Sequence, residues 1–287
     1  MLLNSRWIPV LALSAFGLFS ETAIAQKRVF VITDAEGVAG VCHQDQTDPK
    51  GTDMPALLTG EINAAVEGFL AGGATEVIVW DGHSMAHNLS ALTIHPKARL
   101  IMGALPAAMT LERKYAAIAF VGQHAMGNVP DAIMAHSFSS LGIQTMKVNG
   151  KPVGEIDVRA AMAGHFGTPV IFLSGDHAAA DELKAIVPKA VTAVVKQGLL
   201  RNSCETMSAV AARELIQAKA KESMSQLTSI APYTVKGPVT LEIEYTTRNS
   251  LNPDAKYWPN AKVLGDRTVQ FFGKDIIEAW TNSRIFR

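Results

Sequence analysis

The sequence predicts an α/β protein: a mostly parallel, helix-covered sheet with a second, smaller α+β domain at the C-terminal end. Three observations carry that expectation. Short β-branched apolar runs alternate with helical patterns through the first two thirds of the chain. Several of those runs stop abruptly at a polar burst containing glycine, as strands feeding βα loops do. After Gly198 the character changes to a charged amphipathic helix and strands that alternate apolar with polar residues.

Residues 1–25 stand apart from the fold. Arg6 supplies a positive start, residues 7–19 are apolar but too short for a comfortable membrane span, and Ala23-Ile24-Ala25 offers a small-x-small cleavage site before Gln26. The expectation is a signal peptide cleaved after Ala25, no stable membrane insertion afterwards, and a periplasmic or secreted protein. The remainder divides into an α/β domain over 26–204 and an α+β domain over 205–287. The 26 basic and 26 acidic residues cancel and form no dense basic run, so nucleic acid is excluded as a partner. Cys42 and Cys204 fit no zinc-knuckle or CxxC spacing. A disulfide between them is open, but two separate buried thiols are the expectation.

Residues 29–33 form the first strand, ending at Asp34-Ala35-Glu36-Gly37. Over 54–70 the apolar residues recur at three- and four-residue steps, which predicts a helix stopped by Gly72-Gly73. A strand over 76–80 completes a βαβ unit, and further strands are expected at 98–102 and 115–121. Residues 143–148, Asn149-Gly150 and 151–153 read as a hairpin with a type I′ turn. A helix over 155–165, a strand over 169–173, a helix over 176–186 and a strand over 190–195 continue the alternation. Beyond them lie a helix over 207–221, strands over 239–245 and 267–272, and a closing helix from 275.

The candidate chemistry sits where strands end. Asp34 and Glu36 follow the first strand, His83 follows the second in Asp81-Gly82-His83-Ser84, and His124 follows a later one in Gly122-Gln123-His124. Strand ends of one parallel sheet share a crevice. Two adjacent carboxylates need a cation, a shared proton or water, and imidazole with carboxylate suits zinc and its neighbours. Read alone, each motif is equally an acidic turn or a solvated loop. His136, in Met134-Ala135-His136-Ser137, and Glu155, at a helix start after Gly154, are open in the same way.

Together, Asp34-x-Glu36-Gly37, Asp81-Gly82-His83-Ser84, Gly122-x-His124-Ala125, Met134-x-His136-Ser137 and Gly154-Glu155 resemble, in order and near-spacing, the bacterial binuclear-zinc D-aminopeptidases. The resemblance runs from about Val29 to the C-terminus. It implies two zinc ions per subunit, with Asp34 as the bridging carboxylate, Glu36 and His83 completing one metal site, and His124 and Glu155 the other. It also implies His136 as the catalytic histidine, working with metal-activated water on short peptides with an N-terminal D-residue. A homo-oligomeric ring, commonly a decamer, is implied as well. Ala35, Gly82 and Ile156-Asp157 are local departures that remove no ligand type. Two rival readings differ in kind. Gly82-His83-Ser84-Met85-Ala86 resembles the nucleophile elbow of an α/β-hydrolase with Ser84 as nucleophile, which needs a helix directly after it. A periplasmic peptide- or metal-binding protein without catalysis is the other.

Overall fold

The computed structural model describes residues 26–103 and 110–285. The expected signal peptide, with its cleavage site, lies outside the described residues.

Two sheets organise the chain. The first has seven strands: β1 (Arg28–Thr33), β2 (Glu76–Trp80), β3 (Ala98–Ile101), β4 (Ala117–Gln123), β7 (Val170–Asp176), β8 (Val191–Leu200) and β9 (Ser203–Thr206), in the order β3-β2-β1-β4-β7-β8-β9. All neighbours are parallel except β8 and β9. Strands β4 and β7 are buried along their whole length. That is why they read as continuous apolar runs rather than alternating ones.

Helix α1 (Met54–Ala71) connects β1 to β2, and α3 (His177–Ile186) connects β7 to β8. The first crossover steps one way along the sheet and the second the other. Right-handed crossovers therefore put α1 and α3 on opposite faces. The strand order reverses between β1 and β4, and the crevice beyond their carboxyl ends is where such sheets take ligands.

The second sheet is antiparallel and has five strands: β5 (Ile143–Val148), β6 (Lys151–Pro152), β10 (Val239–Tyr245), β11 (Ala261–Val263) and β12 (Thr268–Gly273), in the order β11-β12-β10-β5-β6. The 143–153 hairpin turns through Asn149 and Gly150, at φ 50° and 80°, as a type I′ turn requires. Helix α2 (Glu155–His165) follows it, α4 (Ala209–Gln226) follows β9, and α5 (Ile276–Ser283) closes the chain.

The two sheets are not divided at residue 205. The β5–β6 hairpin pairs with β10, about a hundred residues later, because one side of both strands is apolar and needs the same cover. Helix α4 instead packs on α1 over the first sheet, where Gly68 lets the helices approach: a Cβ there would stand 2.4 Å from the Gln217 carbonyl oxygen. The expectation of two separate thiols is overturned. The chain turns back after β8 into the unforeseen strand β9, and Cys204 meets the loop after β1 to form a disulfide with Cys42.

Candidate metal centre

Each candidate side chain is delivered by the end of an element. Asp34 and Glu36 leave β1 on a loop laid against β4: Asp34 N–H donates to the Val121 carbonyl at 2.9 Å and Gly37 N–H to the Gly122 carbonyl at 2.8 Å. This approach demands glycine. A Cβ on Gly37 would stand 2.1 Å from the Gln123 carbonyl oxygen, and one on Gly122, at φ 76°, 2.1 Å from the Asp34 oxygen. His83 leaves β2 on a loop organised by fully buried Asp81, which accepts from the backbone N–H groups of Asn88 and Leu89 at 2.6 and 2.9 Å. The Asn88 amide then donates to the His83 carbonyl at 2.7 Å. His124 follows β4 directly, and Glu155 is the first residue of α2. His136 sits between Met134 and Phe138, both non-glycine residues with positive φ (49° and 62°), a strained loop that holds one imidazole.

The six side chains meet. His83 Nδ1 lies 2.9 Å from Asp34 Oδ1 and 3.1 Å from Glu36 Oε2. His124 Nε2 lies 3.5 Å from Asp34 Oδ2 and 3.6 Å from Glu155 Oε1, while His136 Nε2 is 3.8 Å from the same Glu155 oxygen. The His124 and His136 rings stack at 4.1 Å between centroids. Ligand atoms of Asp34, Glu36 and His124, and of His124, His136 and Glu155, form two overlapping groups within 4.8 Å. Asp34 therefore presents one oxygen to each of His83 and His124.

Carbonyls only accept, so the contacts to them fix tautomers. His124 Nδ1–H donates to the Ala125 carbonyl at 2.8 Å and His136 Nδ1–H to the Met134 carbonyl at 2.9 Å. In both rings Nε2 then faces the carboxylates. Among the described residues His124 Nε2 and Glu36 Oε2 are buried and make no hydrogen bond, although each has charged atoms within 4 Å. Two buried polar atoms aimed at one small space, close to charged atoms but without a formed hydrogen bond among the described residues, fit the donor set of a metal site.

The electrostatics make the same demand. Burial alone would push the His83 imidazole down, yet the Glu36 charge and the contacts with Asp34 and Glu36 push it up to about 11. His124 is likewise raised well above the usual imidazole value against its burial, chiefly by Asp34 and Glu155. Burial and the Glu36 charge push the Asp34 carboxyl up, but His124 and His83 hold it below the ordinary range. Burial pushes Glu36 up as well, and His83 holds it well below. Three buried carboxylates thus recruit protons onto imidazoles as counter-charge, and divalent cations would release those protons.

Several supporting residues escaped sequence reasoning. Gln123, beside His124 in the motif, donates from Nε2 to Asp34 Oδ2 at 3.0 Å. Lys196 is 3% exposed and donates from Nζ to the carbonyls of Glu36, Val38 and Val41, clamping the loop that carries Glu36. Its sequence signals are a lysine inside an apolar strand and the Val195-Lys196-Gln197 segment that shares the family resemblance, neither of which gives it this role. Arg159, one turn after Glu155, pairs with Glu155 Oε2 at 3.4 Å. Ser84 is exposed, and no helix follows β2 within residues 81–103, so a nucleophile elbow is missing there.

A pocket of about 300 Å³ opens over the cluster, lined by Asp34, Glu36, His83, His136, Glu155, Arg159 and the Phe138–Leu141 segment. A larger cavity, about 600 Å³, lies between the β5–β6 hairpin, α2 and Tyr233–Val235. It contains none of the converging ligand atoms, so the chemistry belongs to the smaller pocket.

A family model described as D-aminopeptidase matches residues 27–284. The D-aminopeptidase of Bacillus subtilis (strain 168) is 30% identical over 260 residues, covering 88% of this chain and 94% of that protein. Among solved structures, the Zn-dependent D-aminopeptidase DppA from Bacillus subtilis, described as a self-compartmentalizing protease, superposes with a TM-score of 0.80. That match has 28% identity and covers 89% of this chain and 95% of the other.

Proposed function

The chain belongs to the D-aminopeptidase family, and from that premise we propose that it is an exported, zinc-dependent aminopeptidase releasing N-terminal D-amino acids from short peptides. The observation that carries the reading is the convergence of Asp34, Glu36, His83, His124 and Glu155, with Glu36 Oε2 and His124 Nε2 buried and unsatisfied. Two zinc ions per chain are proposed: Glu36 and His83 would hold one, His124 and Glu155 the other, and Asp34 would be shared by both. Bound zinc supplies a Lewis acid that lowers the pKa of water toward neutrality and polarises a carbonyl.

The chain's own groups do the rest. Gln123 and the Ala35 N–H, 3.0 and 2.9 Å from the Asp34 oxygens, fix the orientation of that carboxylate. His136, with Nδ1–H tied to Met134, presents Nε2 as the proton acceptor for attacking water and returns the proton to the leaving amine. A substrate's free α-amine meets the wall formed by Asp34 and Glu36, which favours cleavage next to the N-terminus. The pocket, near the lower end of the roughly 300–1,000 Å³ common for small-ligand sites, suits short peptides.

Export is supported by the expected signal peptide and by the Cys42–Cys204 disulfide, since such bonds persist in oxidising compartments. A homo-oligomeric ring, on the scale of a decamer, is proposed because the structural relative is described as self-compartmentalizing. Paired D- and L-alanyl amides assayed with zinc-loaded and EDTA-treated mature protein test the reading. Zinc-restored, D-selective turnover that resists serine-directed phosphonates is expected. Turnover surviving complete metal removal would sink it, as would tight peptide binding without hydrolysis, which revives the binding-protein reading.

A further inference from the structure

Arg159 lines the pocket from α2, and its side chain is nine-tenths buried. Its guanidinium carbon lies 4.9 Å from the Trp80 ring centre and 5.6 Å from that of Phe138, packing that restrains the planar group. Among the described residues its single ion pair, Nη2 to Glu155 Oε2, is long at 3.4 Å, and its buried Nε has no hydrogen-bond partner. A guanidinium whose Nε is buried without a partner among the described residues is costly unless a ligand completes it. The partner that matches a flat, two-pronged cation is a carboxylate. Nothing in the metal cluster uses the fork fully, because Glu155 turns its other oxygen toward His124, His136 and the Phe138 N–H.

We propose that Arg159 binds the free C-terminal carboxylate of a dipeptide substrate and so selects dipeptides over longer or C-terminally blocked peptides. The inference rests on the aminopeptidase reading for its substrate. The distances set the length. Glu155 Oε1 is 3.6 and 3.8 Å from the two imidazoles, and Oε2 is 3.4 Å from Arg159, so the fork lies one carboxylate group beyond the histidines. In a dipeptide one residue separates the scissile carbonyl from the terminal carboxylate, about 3.5 Å of extended chain. A longer peptide places a neutral amide at that point, which offers the cation no counter-charge. Divalent cations on the cluster would more than offset its three carboxylates, which would leave the Arg159 charge for the substrate.

The test compares D-alanyl-D-alanine with D-alanyl-D-alaninamide in wild type, Arg159→Gln and Arg159→Lys. Calorimetry runs alongside, using the matching reduced-bond analogues with acid and amide ends. Wild type should favour the acid in both kcat/KM and affinity. The acid-to-amide ratio should fall roughly 100-fold in Arg159→Gln, the loss expected for a buried charged contact. Arg159→Lys, which keeps charge but not the fork, should give an intermediate ratio and serves if the glutamine variant does not fold. An unchanged ratio in either variant, or no wild-type preference, overturns the proposal and leaves Arg159 as a prop for Glu155. Acid-selective binding without any hydrolysis would support the carboxylate site while removing the aminopeptidase reading. Equal cleavage and equal affinity for both ends would do the reverse.

Discussion

Replacing Lys196 with methionine removes a buried ammonium from beneath the metal loop while keeping a side chain of similar length. Its Nζ serves the carbonyls of Glu36, Val38 and Val41, and its charge faces Asp176 and Glu61. Burial pushes Lys196 down to about 8 against the attraction of those carboxylates, so it is charged near pH 6.5. Glu61, 2% exposed, accepts from the Ala39 N–H at 2.8 Å and is itself pushed up to about 7 by burial. Deleting the ammonium strands three acceptors and unbalances two acids. Bonds to charged groups contribute about 1.5–3 kcal/mol each, and breaking a buried charged cluster costs about 3–5 kcal/mol. Relief of the ammonium's own burial cost offsets part of this, so the net loss should be about 3 kcal/mol. Against a total of about 5–15 kcal/mol, that lowers a urea midpoint by about 1 M. Equilibrium unfolding at pH 6.5, with zinc and with EDTA, measures it. Chelator competition on the same variant should show weaker zinc binding, because Glu36 rides on the clamped loop. A loss below about 1 kcal/mol with unaltered zinc affinity would refute the clamp.

Three further outcomes are expected from individual contacts. Gln123→Ala frees Asp34 Oδ2 from its 3.0 Å donor and should weaken zinc binding about 10- to 100-fold, read by competition with a chromogenic chelator. Cys204→Ser opens a bridge spanning 162 residues and should cost about 2–5 kcal/mol, visible in denaturant unfolding; reducing agent should affect only the wild type. Glu182 is pushed up to about 9 by burial and by Asp157, so the folded state holds a proton that the unfolded state gives up near 4.5. Its contribution is complete at low pH and is lost as pH rises through about 9. Glu182→Gln should match wild type near pH 5 and exceed it in thermal stability near pH 8.5; a constant gap across that window contradicts the assignment.

Much of the candidate site's placement was legible because parallel strands announce themselves as apolar runs and deliver the residues after them to one edge. Asp34, Glu36, His83 and His124 each stand just after such a run, and the order reversal between β1 and β4 gathers them. Asn149-Gly150 marked its hairpin because only residues tolerant of positive φ make that turn. The hidden features depend on contacts distant in sequence. Strand β11 has three residues and no pattern to read, and β9 forms only because β8 turns back. The pairing of Cys42 with Cys204, of β5 with β10, and of Lys196 with the β1 loop all join segments about a hundred or more residues apart. Arg159 looks like any surface arginine on a helix until Trp80 and Phe138 close around it.

Asp34 is proposed to belong to two metal sites and Glu36 to one. Zinc content of the mature protein after extensive desalting, measured by elemental mass spectrometry, tests that asymmetry most directly. Two zinc ions per chain in wild type, near zero in Asp34→Ala and about one in Glu36→Gln are predicted. A single zinc in wild type, or retention of both after loss of Asp34, would contradict it.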